Sequence, residues 1–387
     1  MIQSAAPVPT VPAAASIVFV DLAAQHARIE ADVAARIARV LAHRRFINGP
    51  EIAELETELA RRAGAGHCVA VGSGTDALLV ALLAHGVGAG DAVFVPAFTY
   101  MASANAVILA GATPVFVDID PARLTIDPAD LERRLAQVRR DGVLTPRAVM
   151  PVDLFGLPAD YDRLDETARR HDLFMLVDAA QSFGARLNDR AVGSFGDATA
   201  ASFFPSKPLG CYGDGGALFT DDAERASRWR SLRHHGIGED MMLSERVGLN
   251  ARLDTLQAAV LLAKLGIFDS ELEAREQVAQ RYDARLANVV PAVAPRHPAA
   301  QSAWASYAVR VPRRDHVAAT LKGAGIPTGV YYPHPLHAQP AYRSYADGPL
   351  PVAEAVSREI LNLPIHPYLT PADIDRICDG LDTAVSS

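Results

Sequence analysis

Between residues 67 and 220 short β-rich runs alternate with amphipathic helical stretches, and this alternation restricts the possible folds more than any other feature of the chain. The apolar runs are CVAV (68–71), AVFVP (92–96), PVFVDID (114–120), AVMPVD (148–153), LFMLVD (173–178), ATAASFF (198–204) and GALFT (216–220). Between them lie stretches such as PADLERRLAQVRR, where Pro128 suits a first helical turn. Strands that need a helix after each of them pair in parallel, and both faces of their sheet are then covered. The expectation is an α/β fold with a mostly parallel, seven-stranded sheet flanked by helices.

At 387 residues and 50% hydrophobic content the chain is long enough for two domains. We expect a flexible tail at 1–16, a large domain at 17–265 and a smaller α+β domain at 266–387. RIEADVAARIARVLAH places Ile29, Val33, Ile37, Val40 and Leu41 on one helical stripe. The sequence from Arg252 to about Asn288 reads as one long helical run leaving the large domain. WASYAVRV alternates as a strand, and TPADIDRICDGLDTAV closes the chain as a helix capped by Thr370.

A net charge of -8 argues against nucleic acid as a partner. The opening MIQSAAPVPTVPAAAS lacks a secretory pattern, and no apolar run approaches the roughly eighteen residues that cross a bilayer. Cys68, Cys211 and Cys378 are few and far apart, so we expect reduced thiols in a cytoplasmic protein, with neither disulfides nor a zinc site. His334 and His337 have no further ligands nearby, and no metal is expected. His234 and His235 follow an arginine-rich helix and read as capping or solvating its end.

In open α/β sheets ligands sit beyond the carboxyl ends of the strands. Three segments at such ends carry chemistry. VGSGTDAL (71–78) runs from a strand through small residues into a helix, so free N–H groups and the helix dipole suit a phosphate. Asp178 follows a five-residue apolar run, where a carboxylate needs a cationic partner, and small Ala180 leaves room for a flat ring. SFFPSKPLGCYGDGGALF carries Lys207 between two prolines and ahead of Gly210, Gly213, Gly215 and Gly216, glycines expected to admit a ligand to the backbone. Ser202 lies where a hydroxyl could reach a phosphate. Taken singly, these features are also a tight turn, a helix cap and a surface lysine. Together they match the needs of pyridoxal 5'-phosphate: an anchored phosphate, a ring nitrogen kept protonated, and an amine for the aldehyde.

The sequence resembles the DegT/DnrJ/EryC1/StrS family of fold-type I sugar aminotransferases from about Phe19 to Tyr368. The resemblance rests on FINGPEIAELE, GSGTDAL, PAFTYMASANA, GATPVFVDID, DAAQSFGA, SFFPSKPLGCYGDGGA, VGLNARLDTLQAA and YYPHPLHAQPAY. It implies Lys207 as the Schiff-base lysine, Asp178 as partner of the ring nitrogen, and Tyr100 and Ala180 on opposite ring faces. Gln181 would sit near the ring hydroxyl, and Gly74, Thr75 and Ser202 would hold the phosphate. It further implies a homodimer with shared sites, in which Asn250 reaches the neighbour's phosphate and Arg252 the sugar carboxylate. Tyr331, Tyr332 and His337 would line the sugar pocket, with Tyr331 standing where the nearest pattern has a histidine. The implied reaction moves an amine from L-glutamate to a nucleotide-linked keto-sugar, most like the branch acting on the 3-keto group of a UDP-N-acetylhexosamine uronate. Alternatives are a 4-keto-sugar aminotransferase and a non-catalytic regulatory protein on the same fold. A nicotinamide dehydrogenase is disfavoured, because the third glycine of its fingerprint is absent.

Overall fold

The computed structural model describes residues 17–290 and 295–387; the tail expected at 1–16 lies outside the described residues. Twelve helices are present among them: α1 (Leu22–His43), α2 (Pro50–Ala63), α3 (Gly74–Ala84), α4 (Ala102–Leu109), α5 (Pro128–Asp141), α6 (Tyr161–His171), α7 (Ala223–Leu232), α8 (Thr255–Leu265), α9 (Phe268–Leu286), α10 (Arg314–Gly323), α11 (Pro351–Glu359) and α12 (Pro371–Ser386). The strands are β1 (His67–Val71), β2 (Asp91–Pro96), β3 (Thr113–Val117), β4 (Thr145–Val149), β5 (Phe174–Asp178), β6 (Arg186–Leu187), β7 (Arg190–Ala191), β8 (Ala198–Ser202), β9 (Gly216–Thr220), β10 (Ala300–Gln301), β11 (Tyr307–Arg310) and β12 (Ile360–Leu363).

Seven of these strands form one sheet in the order β1-β9-β8-β5-β4-β2-β3. All seven correspond to the apolar runs read from the sequence. β9 alone runs against the rest, pairing antiparallel with both β1 and β8. Its register sets Gly216 opposite both Val71 and Ser202, so the carboxyl ends of β1 and β8 finish at one level. Alternation along β1 explains the two covered faces. Val69 and Val71 enter one core with α3, α4 and α7, while Cys68 and Ala70 enter another with α2 and α8. A third core beneath α5 and α6 receives Phe94, Val149, Met175 and Val177. The two-residue strands β6, β7 and β10 form a small separate sheet.

The remaining core joins β11, β12, α10, α12 and the later turns of α9. Thr370 caps α12 through a capping box with Asp373, as expected for a Thr-x-x-Asp start. One expectation needs correction. Leu41 is 54% exposed, because one residue beyond buried Val40 is a rotation of about 100° off the stripe. The helical run after Arg252 consists of α8 and α9, separated at Gly266 and Ile267. No helix among the described residues is long and apolar enough to cross a membrane.

Candidate active site

The carboxyl edge of the sheet gathers the chemistry. β5 ends in Asp178, which is 5% exposed. Its Oδ2 accepts from the Ser103 hydroxyl at 2.8 Å and its Oδ1 from the Ala180 N–H at 3.2 Å. Burial pushes the Asp178 carboxyl above its usual range, while these two donors and the charge of Lys207 draw it back. A carboxylate so placed is completed by a further cation. Ser103 sits in the first turn of α4 and was not singled out in the sequence, since PAFTYMASANA shows only one small polar residue among several.

Lys207 lies in the loop that links β8 to β9. The loop is folded on itself: the Lys207 N–H donates to Phe204, the Cys211 N–H to Phe203 and the Phe203 N–H to Gly215. The lysine is part-exposed yet enclosed by protein on most sides, an amine at the floor of a cleft. Burial lowers it from its ordinary value to about 8, opposed by the Asp178 charge. No hydrogen-bond partner for its side chain is present among the described residues. A Cβ on Gly210 would meet the Phe204 and Pro205 carbonyl oxygens at 2.6 Å, and one on Gly215 the Cys211 sulfur at 2.6 Å, so these two close the loop against its own chain. Gly216 instead lies against the start of α3, where a Cβ would come within 2.5 Å of the Ser73 carbonyl oxygen and 2.8 Å of the Gly74 nitrogen.

The third component is the start of α3. Ser73 caps it, its hydroxyl accepting from the Asp76 N–H at 3.0 Å. The Gly74 and Thr75 N–H groups have no acceptor among the described residues, the ordinary state of a helix's first turn. Gly74 abuts Ser202, where a Cβ would come within 2.7 Å of the serine Cβ. Two N–H groups, the dipole of an eleven-residue helix and a serine hydroxyl therefore converge, and this set fits a phosphate.

Aromatic residues and one amide complete the cleft. The Gln181 Oε1 accepts from the Phe155 N–H at 2.8 Å, which points its Nε2 to the Tyr332 hydroxyl at 3.4 Å. Tyr332 lies 6.1 Å from Tyr100, ring centre to ring centre, and Tyr100 keeps 52% of its surface exposed. Burial and then the Asp178 charge push the Tyr332 hydroxyl upward. Tyr331 is held by Asn362 in β12, whose Oδ1 accepts from its N–H at 2.9 Å. His337 is placed apart from these tyrosines' partners: it is 7% exposed and pairs with Glu354 of α11 at 3.1 Å.

Behind Asp178 lies a second carboxylate, Asp153, fully buried and pushed up to about 7 by burial. It accepts from the Tyr161 and Ser182 hydroxyls and the Ala159 N–H. Asn250 and Arg252 form no contact with any of these groups. The Asn250 Oδ1 accepts from Arg252 Nε and Nη2 at 3.0 and 2.6 Å, and Arg252 Nη1 donates to His234 at 2.9 Å. His234 therefore binds an arginine side chain; it does not cap α7. Cys68, Cys211 and Cys378 are buried and free, and burial pushes the Cys211 thiol up to about 12.

A mostly parallel sheet, covered on both faces and carrying this cleft at its carboxyl edge, places the protein among the fold-type I enzymes that use pyridoxal phosphate. Residues 27–382 match the DegT/DnrJ/EryC1/StrS aminotransferase family. The chain is 45% identical to the UDP-2-acetamido-2-deoxy-3-oxo-D-glucuronate aminotransferase of Pseudomonas aeruginosa, over 94% of this chain and 99% of that one. A DegT DnrJ EryC1 StrS aminotransferase from Brucella abortus superposes with a TM-score of 0.94 at 47% identity, covering 96% of this chain and all of the other. NtdA of Bacillus subtilis, solved with bound cofactor PMP, gives a TM-score of 0.85 at 29% identity over 93% of this chain and 82% of its own. The chain belongs to the DegT/DnrJ/EryC1/StrS family and is an aminotransferase.

Proposed function

We propose that this enzyme moves the amino group of L-glutamate to the 3-keto group of a UDP-linked N-acetylhexosamine uronate, for surface polysaccharide or other amino-sugar biosynthesis. The observation that carries the reading is the pair formed by Asp178, at the end of β5, and Lys207, in the loop after the adjacent strand β8, beside the Gly74–Ser202 cradle. When bound, pyridoxal phosphate supplies a carbon that carries the amine and a ring that takes up the electrons released at the substrate carbon. Asp178, oriented by Ser103, would hold positive charge on the ring nitrogen. The Gly74 and Thr75 N–H groups and the Ser202 hydroxyl would hold the phosphate. Tyr100 and Ala180 would border opposite ring faces, and Gln181 would meet the ring hydroxyl. Lys207, its pKa near 8, changes protonation state near neutral pH and moves the substrate proton between carbons. Tyr331, Tyr332 and His337 border the sugar, His337 by fixing its loop to α11.

Asn250 and Arg252 act on a neighbouring subunit in this reading. Its support is the ribbon that carries them, where Met241, Met242, Leu243 and Val247 are 64%, 94%, 58% and 95% exposed. Apolar side chains so bare on one projecting segment suit a cover by a second copy of the chain. The three buried free thiols suit the reducing cytoplasm. We place the boundary between the large and small domains after residue 265. The test is turnover by purified holoenzyme in the amine-removing direction, with 2-oxoglutarate and 3-amino or 4-amino UDP-sugars. Reaction with the 3-amino uronate alone supports the proposal, and reaction with the 4-amino sugars alone overturns it.

A further inference from the structure

Residues 233–235 and 249–251 form a short antiparallel ribbon. The His235 N–H donates to the Leu249 carbonyl at 2.8 Å and the Ala251 N–H to Arg233 at 3.0 Å, which sets His234 opposite Asn250. Side chains directly across a ribbon share a face, and so do residues two apart on one strand. His234, Asn250 and Arg252 thus emerge together. The ribbon continues into the rim of the phosphate cradle: Arg252 bridges Val71, and the Gly72 N–H donates to the Ala251 carbonyl at 3.0 Å.

A guanidinium has five N–H donors in a rigid plane. Asn250 accepts two of Arg252's, from Nε and Nη2, and so occupies one edge of the fork. The His234 Nδ1 accepts a third, from Nη1. One N–H remains on each terminal nitrogen, without a partner among the described residues. Both neighbours of Arg252 are neutral acceptors, so its positive charge stays uncompensated. A structural ion pair would have consumed it.

We propose that His234 is a positioning residue for substrate recognition: with Asn250 it fixes Arg252 so that the two remaining N–H groups are presented to the carboxylate of an anionic sugar. This rests on the reading that Arg252 meets the sugar. To accept from Arg252, the imidazole must carry its proton on Nε2. Burial, and then the arginine charge, hold the ring below its ordinary imidazole value and favour that neutral form. Fixing a long side chain before the ligand arrives removes an ordering cost from binding, worth roughly three- to tenfold in affinity for one such residue.

Calorimetric titration of the holoenzyme with UDP-glucuronate and with UDP-glucose tests this without turnover. Wild type should bind the uronate more tightly, and Arg252→Ala should erase the preference. His234→Ala should shrink the ratio roughly three- to tenfold by weakening the uronate alone. His234→Asn, whose side-chain oxygen falls where Nδ1 stood, should restore most of it. An undiminished ratio in His234→Ala, equal weakening of both ligands, or a wild type without preference would overturn the inference. A wild type that shows the full pattern yet does not transaminate supports the inference and sinks the aminotransfer reading.

Discussion

The floor of the cleft and the ribbon at 233–252 hold their polar side chains in opposite ways. On the floor two groups are fixed by other elements, Asp178 of β5 by Ser103 of α4 and Gln181 by the Phe155 N–H, while Lys207 has no side-chain hydrogen bond among the described residues. In the ribbon, Asn250, Arg252 and His234 hold one another, while the apolar residues between them stand bare. The floor's Asp178, Lys207 and Ser202 come together within one chain because a parallel sheet delivers its strand ends to one edge. The ribbon is organised but uncovered. Under the proposed function, reaction chemistry belongs to the floor and substrate reading to the ribbon, and perturbations should separate them.

Lys207→Ala should bring the largest effect, a loss of turnover of about 10⁴-fold with near-native circular dichroism, because it removes the proton-moving group but no core contact. Asp178→Asn keeps the shape and removes the charge. Its kcat should fall on the order of 10²- to 10³-fold, with the visible absorbance of the bound cofactor altered. On the ribbon, Met242→Asp with Val247→Asp should weaken self-association by at least about 30-fold, seen by sedimentation velocity. Self-association unchanged by the pair of substitutions, or none in the wild type, would show that the bare apolar side chains are not covered by a second copy. Ser103→Ala leaves one oxygen of buried Asp178 without its donor and should weaken cofactor retention about tenfold.

The smallest effect concerns Lys264 on α8, which is 1% exposed, lies over the Tyr212 ring and has no hydrogen-bond acceptor for its amine among the described residues. Burial lowers it to about 8 from 10.5. The folded state then binds fewer protons than the unfolded chain between those values, so this group's contribution becomes more favourable as pH rises through that window. Below pH 8 its burden is complete. Lys264→Met should raise Tm by a few degrees at pH 7 and by less at pH 9.5, as checked by thermal unfolding.

The central strands were legible because they lie in or overlap short apolar runs, but β4 begins three residues before its run, at Thr145, and shares only Ala148 and Val149 with it, because Thr-Pro-Arg carries no apolar signal. The Asp178–Lys207 pairing could be anticipated for the same reason, both residues following such runs. Short-range composition misled where partners are remote. β6, β7 and β10, two residues each, leave no periodic trace, and Ser103 gains its meaning only from a carboxylate 75 positions away. The glycines after Lys207 make a need for close approach legible but not the approaching group, which is the loop's own chain at Gly210 and Gly215 and the start of α3 at Gly216. His234 looked like a helix end because its partner, Arg252, arrives through a ribbon eighteen residues later.

α9 belongs to two cores at once. Its first turns insert Phe268 beside Phe183 in the large core, and its later turns give Val278, Tyr282 and Leu286 to the small one. A single stiff rod anchored at both ends acts as a splint, so the small unit cannot swing freely about Gly266 and Ile267. Under the proposed function, a bulky sugar nucleotide would then enter past the exposed side chains of Tyr100 and Tyr331 with the two cores held at a fixed spacing.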